Sequence, residues 1–352
     1  MTAIVTTLLS AGGWGLVAGW ILPTALNAAI FGLLVLPAWR HAPALHGPAT
    51  ASGPAKALAL LVIAIVGGLV LSALQTPLYR VLEGYSWPGR ARQWGTRCQQ
   101  RRRRALRARL RLAQVVWQAR VTGGMTAVER ARLERRYWPD VVRSSTRRIQ
   151  GWEVSVLSEA VRRYPVDRRQ VLPTRLGNAI RRFEEYSSDR YTLDLVTMWY
   201  ALAAVVPDQV RRQVTAGRAG VDFFVCLIYG HAVVAVIAAC TLAALPGYPV
   251  GPAIALAATV VLSFLWYRLA VTSTDEWAAA VRGMVDIGRK PLAEALSLGM
   301  PPTLGQERLM WDAASRLGRQ PYDPRDRTLD RFRAGRPMAD PARRYPQIRP
   351  PR

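Results

Sequence analysis

The sequence predicts an all-α membrane protein: four transmembrane helices arranged as two hairpins, with a helical cytoplasmic domain inserted between spans 2 and 3. Three observations carry this expectation. Four segments are each apolar over the roughly 20 residues that a helix needs to cross a bilayer core. The chain of 352 residues is 51% hydrophobic and 20% charged, and the charges fall almost wholly outside those segments. No stretch of any length alternates polar and apolar residues as a strand does.

The first span, Trp14 to Trp39, contains no charge. It lacks a basic leader and its apolar run exceeds that of a signal peptide, so it reads as an uncleaved span. Pro23 inside it predicts a kink. Gly15 and Gly19 form a G-x-x-x-G pair that lets a neighbouring helix approach closely. The second span covers about residues 57–78, with Ala64, Gly67 and Gly68 as its small face. Residues 1–79 are thus the first hairpin. Its connecting loop, 40–56, carries only Arg40 and Lys56 as strong bases, with His41 and His46 beside them. The third and fourth spans, about 220–245 and 251–271, form the second hairpin within 220–273.

Residues 80–219 form the arginine-rich insert, with 30 arginines against 12 acidic residues. Seven of them, Arg101, Arg102, Arg103, Arg104, Arg107, Arg109 and Arg111, fall within eleven residues. Leu106, Leu110, Ala113 and Trp117 recur at helical spacing beside them, so the run reads as an amphipathic helix whose arginines meet anionic lipid headgroups. The "VTGG" at 121–124 ends it. Thr126 and Glu129 then make a capping box, and "YWPD" at 137–140 closes the helix they open. Further helices are expected at 152–163 and 175–186.

The segment Leu172 to Asp208 is the most varied. Its first half mixes Arg175, Arg181, Arg182 and Arg190 with Glu184, Glu185, Asp189 and Asp194. The arginines are candidates for binding an anionic partner. The acids suggest an ionic network or the wall of a cavity, with Arg181 and Glu185 as an i,i+4 pair. Residues 195–206 are uncharged and too few to span, so they form either a core helix or an interfacial one anchored by Trp199 and Tyr200. The string "LPTRLGN…RRFEEYSSDRY…D…W", about 30 residues, resembles a segment of uncharacterised bacterial multi-pass membrane proteins. Tyr200 stands where that pattern has proline. The resemblance implies a shared architecture and carries no activity.

After the fourth span, Ser273 and Glu276 are expected to cap a new helix ending near Gly288. Short helices at 291–298 and 304–317 complete a cytoplasmic segment, 274–319. From Gln320 to Arg352 the chain is rich in proline, arginine and aspartate and is expected to be a disordered basic tail.

Orientation follows from arginine placement. The insert is net +18 and residues 274–352 carry 15 basic against 10 acidic residues, whereas the loops at 40–56 and 246–250 are nearly free of charge. The insert and both termini therefore belong on the cytoplasmic side of a bacterial inner membrane, and four spans return the chain to its starting side.

Catalytic chemistry is hard to find. There are three histidines, no H-E-x-x-H, no phosphate loop and no G-x-S-x-G. Cys98, Cys226 and Cys240 have neither ligand nor disulfide spacing. No metal, cofactor or catalytic residue is expected, and no recognition motif frames the arginines for nucleic acid. Asn27 and His231 are the polar side chains expected near mid-membrane, either bonded to each other across helices or facing a lumen. Three functions remain. The first is a non-catalytic membrane scaffold or sensor whose basic domain binds an anionic partner: lipid headgroups, an acidic protein or a small anion. The second is a self-associating channel or pore-forming effector gated by that domain. The third is a lipid-acting enzyme.

Overall fold

The computed structural model describes residues 11–41, 52–122, 126–128, 131, 135, 151–321, 323 and 325–333. The described residues are mostly helical, with no strand among them. The capping box with Glu129, the "YWPD" stop, the loop containing His46 and the tail beyond Arg333 lie outside the described residues.

Among the described residues, four helices are long and apolar enough to cross a membrane: α1 (Gly13–Arg40), α2 (Gly53–Ala73), α8 (Asp208–Ala244) and α9 (Val250–Ala295). Between them come α3 (Gln75–Glu83), α4 (Gly89–Thr122), α5 (Gly151–Arg162), α6 (Arg175–Tyr191) and α7 (Leu195–Val205), and α10 (Leu304–Arg319) follows α9. The chain divides into two compact units. One holds Met1–Arg182 and Arg212–Ala278, the other Phe183–Arg211 and Ala279–Arg352.

In the first unit, α1 is one rod with two wide turns, at Val17–Ile21 and Phe31–Val35. Each ends two residues before a proline, Pro23 or Pro37. A proline ring collides with the carbonyl four residues earlier and supplies no N–H. The π-turn answers both problems: Leu22 N–H donates to Val17 O and Leu36 N–H to Phe31 O, each five residues back. The expected kink at Pro23 is thus met by a local widening of the helix.

Glycines set the helix contacts. A Cβ on Gly68 would lie 3.0 Å from the Ile21 backbone, and one on Gly19 would lie 3.0 Å from Asp222 Cβ. The small faces of both helices are therefore used within the chain, against α1 and α8. In α2, Leu58, Leu61, Val62, Val66 and Val70 are more than half bare of protein. Aliphatic exposure on this scale suits a helix bathed in hydrocarbon.

α9 corrects the expectation of a fresh helix at Ser273. It runs 46 residues without a break, passing through Ser273 and Glu276 and ending at Ala295 beyond Pro291. A capping residue ends nothing when the preceding residues can continue the hydrogen-bond ladder, and 272–290 contain no proline. At 1.5 Å per residue the rod is about 69 Å long, roughly twice a bilayer core.

In the second unit, one side of α7 packs into protein, as the core-helix alternative for residues 195–206 expects. Met198 and Leu202 are buried, and a Cβ on Gly318 of α10 would press on Thr197 Cγ2. Val196 and Tyr200, one turn apart, are 92% and 86% exposed. The start of the expected disordered tail also departs from the sequence reading. Asp330–Phe332 form a 3-10 turn, Phe332 is buried, and its carbonyl accepts from Gly299 N–H at 2.7 Å. Counting aliphatics overlooks this aromatic anchor.

Candidate functional site

The site begins with α4, which holds eleven arginines and no acid over 34 residues. Arg101, Arg104, Arg109 and Arg111 are exposed, as headgroup contact requires. Arg107 is half-buried, and burial followed by the nearby Arg111 holds its guanidinium below the usual arginine value. Arg103 departs from the expectation. It is 4% exposed, and its Nη2 donates to Pro165 O at 2.9 Å and Val166 O at 2.6 Å. Arg103 lies three residues before Leu106 on the apolar stripe, so it faces the core and straps the α5–α6 connection to α4. Tyr164 reinforces the strap by donating to Gln99 Oε1 at 2.8 Å.

The "LPTRLGN" string builds the start of α6. Thr174 Oγ1 accepts from Gly177 N–H at 3.0 Å. Asn178 folds back, accepting from Leu172 N–H at 2.9 Å and donating to Leu172 O at 2.8 Å. Pro173 wedges between Gly84 and Gly95, where added Cβ atoms would come within 2.1 and 2.7 Å of its ring. Gly84 is needed for a second reason: its φ of 90° closes α3 in the left-handed region. The first two free N–H groups of α6, on Arg175 and Leu176, point to Tyr267 Oη at 3.2 and 3.4 Å. Tyr267 lies near the end of the apolar stretch of α9.

These elements enclose a cavity of about 320 Å³ whose lining includes Arg102, Arg163, Arg175, Tyr267 and Arg268. Arg163 is committed: its Nε lies 3.0 Å from both Asp275 carboxylate oxygens, and it also meets Glu159. Its hydrogen bond to Asp275 holds the guanidinium above the usual range. Arg102, Arg175 and Arg268 have no ion pair among the described residues. Leu106, Val156 and Val271 supply an apolar wall. The arrangement is a cationic pocket with one greasy side. Tyr267 Oη accepts two backbone N–H groups and is also hydrogen-bonded to the Thr174 side chain.

Of the sequence candidates, Arg102 and Arg175 meet here. Arg181 does not line the cavity: it donates to Gln170 Oε1 at 2.9 and 2.6 Å. Arg182 is half-buried outside it, and Arg190 is exposed in the other unit. Arg163, Tyr267 and Arg268 were missed. Arg268 had a signal, being a lone arginine in the last turns of an apolar run.

The acids foreseen as a network separate. Glu184 and Asp189 are exposed and Glu185 is buried. Asp194 caps α7, accepting from Val196 N–H at 3.0 Å and Thr197 Oγ1 at 2.7 Å. The second unit builds its ionic cluster from other helices. Tyr186 and Tyr191 donate to Asp286 at 3.0 and 2.7 Å, and the Arg289 guanidinium sits 4.5 Å from the Tyr191 ring centre. Arg289 also binds both oxygens of Glu307 at 2.7 Å, and buried Trp311 donates to Glu307 at 3.2 Å. Burial, then the bond to Asp286, pushes the Tyr191 hydroxyl up to about 12.

Asn27 and His231 are bonded to each other. His231 Nδ1 lies 2.6 Å from Asn27 Oδ1, Trp266 Nε1 donates to His231 Nε2 at 3.0 Å, and Asn27 Nδ2 donates to Pro23 O at 2.8 Å. Since indole only donates, Nε2 must accept and Nδ1 must carry the hydrogen. The imidazole is neutral, and both ring nitrogens are satisfied between α1, α8 and α9. Among the described residues no three His, Cys, Asp or Glu side chains group as metal ligands.

Compared with known protein families, curated proteins and solved structures, the chain matches none of them.

Proposed function

We propose that this chain is a non-catalytic membrane sensor or scaffold that binds an anionic ligand in the cavity between α4, α5, the start of α6 and α9. In this reading α1 and α2 form one membrane hairpin and the apolar parts of α8 and α9 a second, in a bacterial inner membrane. The insert and both termini face the cytoplasm, as the arginine distribution favours. The observation that carries the reading is the cavity itself. It gathers Arg102, Arg175 and Arg268 without a carboxylate partner for any of them among the described residues. Like charges held together repel one another, and an anion relieves that cost through charge-assisted hydrogen bonds.

The closed Asn27–His231–Trp266 circuit favours this reading over a pore, because a lumen-facing residue would keep polar atoms for water or ions. The test is equilibrium binding of pyrophosphate to the full chain in detergent. The wild type is expected to bind it, and Arg102→Gln with Arg175→Gln is expected to weaken binding at least about tenfold, or 1.4 kcal/mol. Equal affinity in the two proteins overturns the assignment.

A further inference from the structure

An anion can reach this cavity from the water or from the membrane. One face of α9 bears on the choice. Val261, Phe264 and Leu265 are 67%, 73% and 46% exposed. Continuing from Leu265 by three and four residues reaches Arg268 and Thr272, which line the cavity. Positions 261, 265, 268 and 272 form one stripe of a helix. A bare apolar track therefore leads directly to the cationic pocket on the same helical face. Pocket residues Leu106, Val156 and Val271 continue the apolar character inside.

We propose that the ligand is an anionic glycerophospholipid taken laterally from the membrane. Its phosphate sits among Arg102, Arg175 and Arg268, and its acyl chains lie along Val261, Phe264 and Leu265. This rests on the cavity being an anion site and adds the class of anion. A soluble ligand would have no use for the track. A neutral headgroup would leave the guanidinium charges uncompensated: a zwitterionic lipid brings its own cation to a pocket that already holds three arginines without a carboxylate partner among the described residues. The volume of about 320 Å³ is at the small end of ligand clefts, which run roughly 300–1,000 Å³, and suits a phosphoglycerol head with its chains outside.

The experiment is native mass spectrometry of the full chain released from nanodiscs of mixed phosphatidylglycerol and phosphatidylcholine. Water-soluble glycerol phosphate is added as competitor in a second arm. The expected result is one phosphatidylglycerol retained per chain, at least tenfold over phosphatidylcholine. It is undiminished by a hundredfold excess of glycerol phosphate, and retention is lost in Arg102→Gln/Arg268→Gln. Both arginines are exposed, so the variant keeps its core, and unchanged thermal unfolding verifies this. Displacement by glycerol phosphate overturns the lipid assignment while leaving the anion cavity standing. Equal retention of phosphatidylcholine also overturns it. Undiminished lipid in the double variant, together with unchanged pyrophosphate binding, overturns both.

Discussion

Arginine is the residue through which this chain does most of its work, and its roles differ with position. Arg103 and Arg104 are adjacent in sequence, yet one is a buried strut and the other a solvated charge. Removing Arg103 strands two carbonyls, those of Pro165 and Val166, for which no other donor is seen among the described residues. Arg103→Ala is expected to cost about 2–3 kcal/mol, whereas Arg104→Ala stays within about 0.5 kcal/mol. Denaturant unfolding in detergent compares them, and equal midpoints would remove the strut. Tyr191 gives a second residue-scale prediction. Its folded value of about 12 lies above the ordinary 10.0, so the folded state holds the proton more tightly. That contribution is complete below about pH 10 and is lost as the pH rises through about 12. Unfolding measured across this interval should show a decline that Tyr191→Phe abolishes. Arg289, Asp286 and Tyr186 also face the hydroxyl and remain in both proteins. None of this was legible beforehand. The sequence marked arginine density correctly, but which arginine turned inward depended on extending the stripe of Leu106, Leu110 and Ala113 one turn back.

At the scale of elements, the apolar helices were the most readable parts. The expected limits at Trp14, Trp39 and Leu245 fall within a residue or two of helix ends, because hydropathy and loop prolines speak locally, whereas the helix expected from 220 starts at Asp208 and the one expected to stop at 271 runs to Ala295. Helix α9 shows the opposite. Ser273 and Glu276 imitate a start signal, but a signal of this kind competes with continuing an established ladder, and there continuation wins. The small-residue faces at Gly19 and Gly68 were legible as contact surfaces, while their partners were not, since spacing along one helix says nothing about which neighbour fills it. The mixed-charge stretch of α6 promised a network among its own acids. The second unit instead joins Asp286 of α9 to Tyr186 and Tyr191 of α6, 100 and 95 residues away, and Arg289 of α9 to Glu307 of α10, pairings that no local pattern encodes. For the cavity, Arg102 and Arg175 were candidates because each stood in a basic cluster. Tyr267 and Arg268 were hidden inside what read as a span.

For the whole molecule, the strongest expectation is its sidedness. A reporter fused near residue 150 should be active only when cytoplasmic, and one placed at Gly247 only when outside. Inverted signals would remove the proposed orientation and, with it, the cytoplasmic placement of the cavity. The 69 Å length of α9, about twice what a bilayer requires, is compatible with a rod that leaves the membrane intact. The cavity's choice of guanidinium over imidazole or amine has one more consequence. A planar guanidinium fork grips two oxygens of one group at once, so Arg102, Arg175 and Arg268 together favour cargo that presents several oxygens on one centre over cargo with a lone carboxylate.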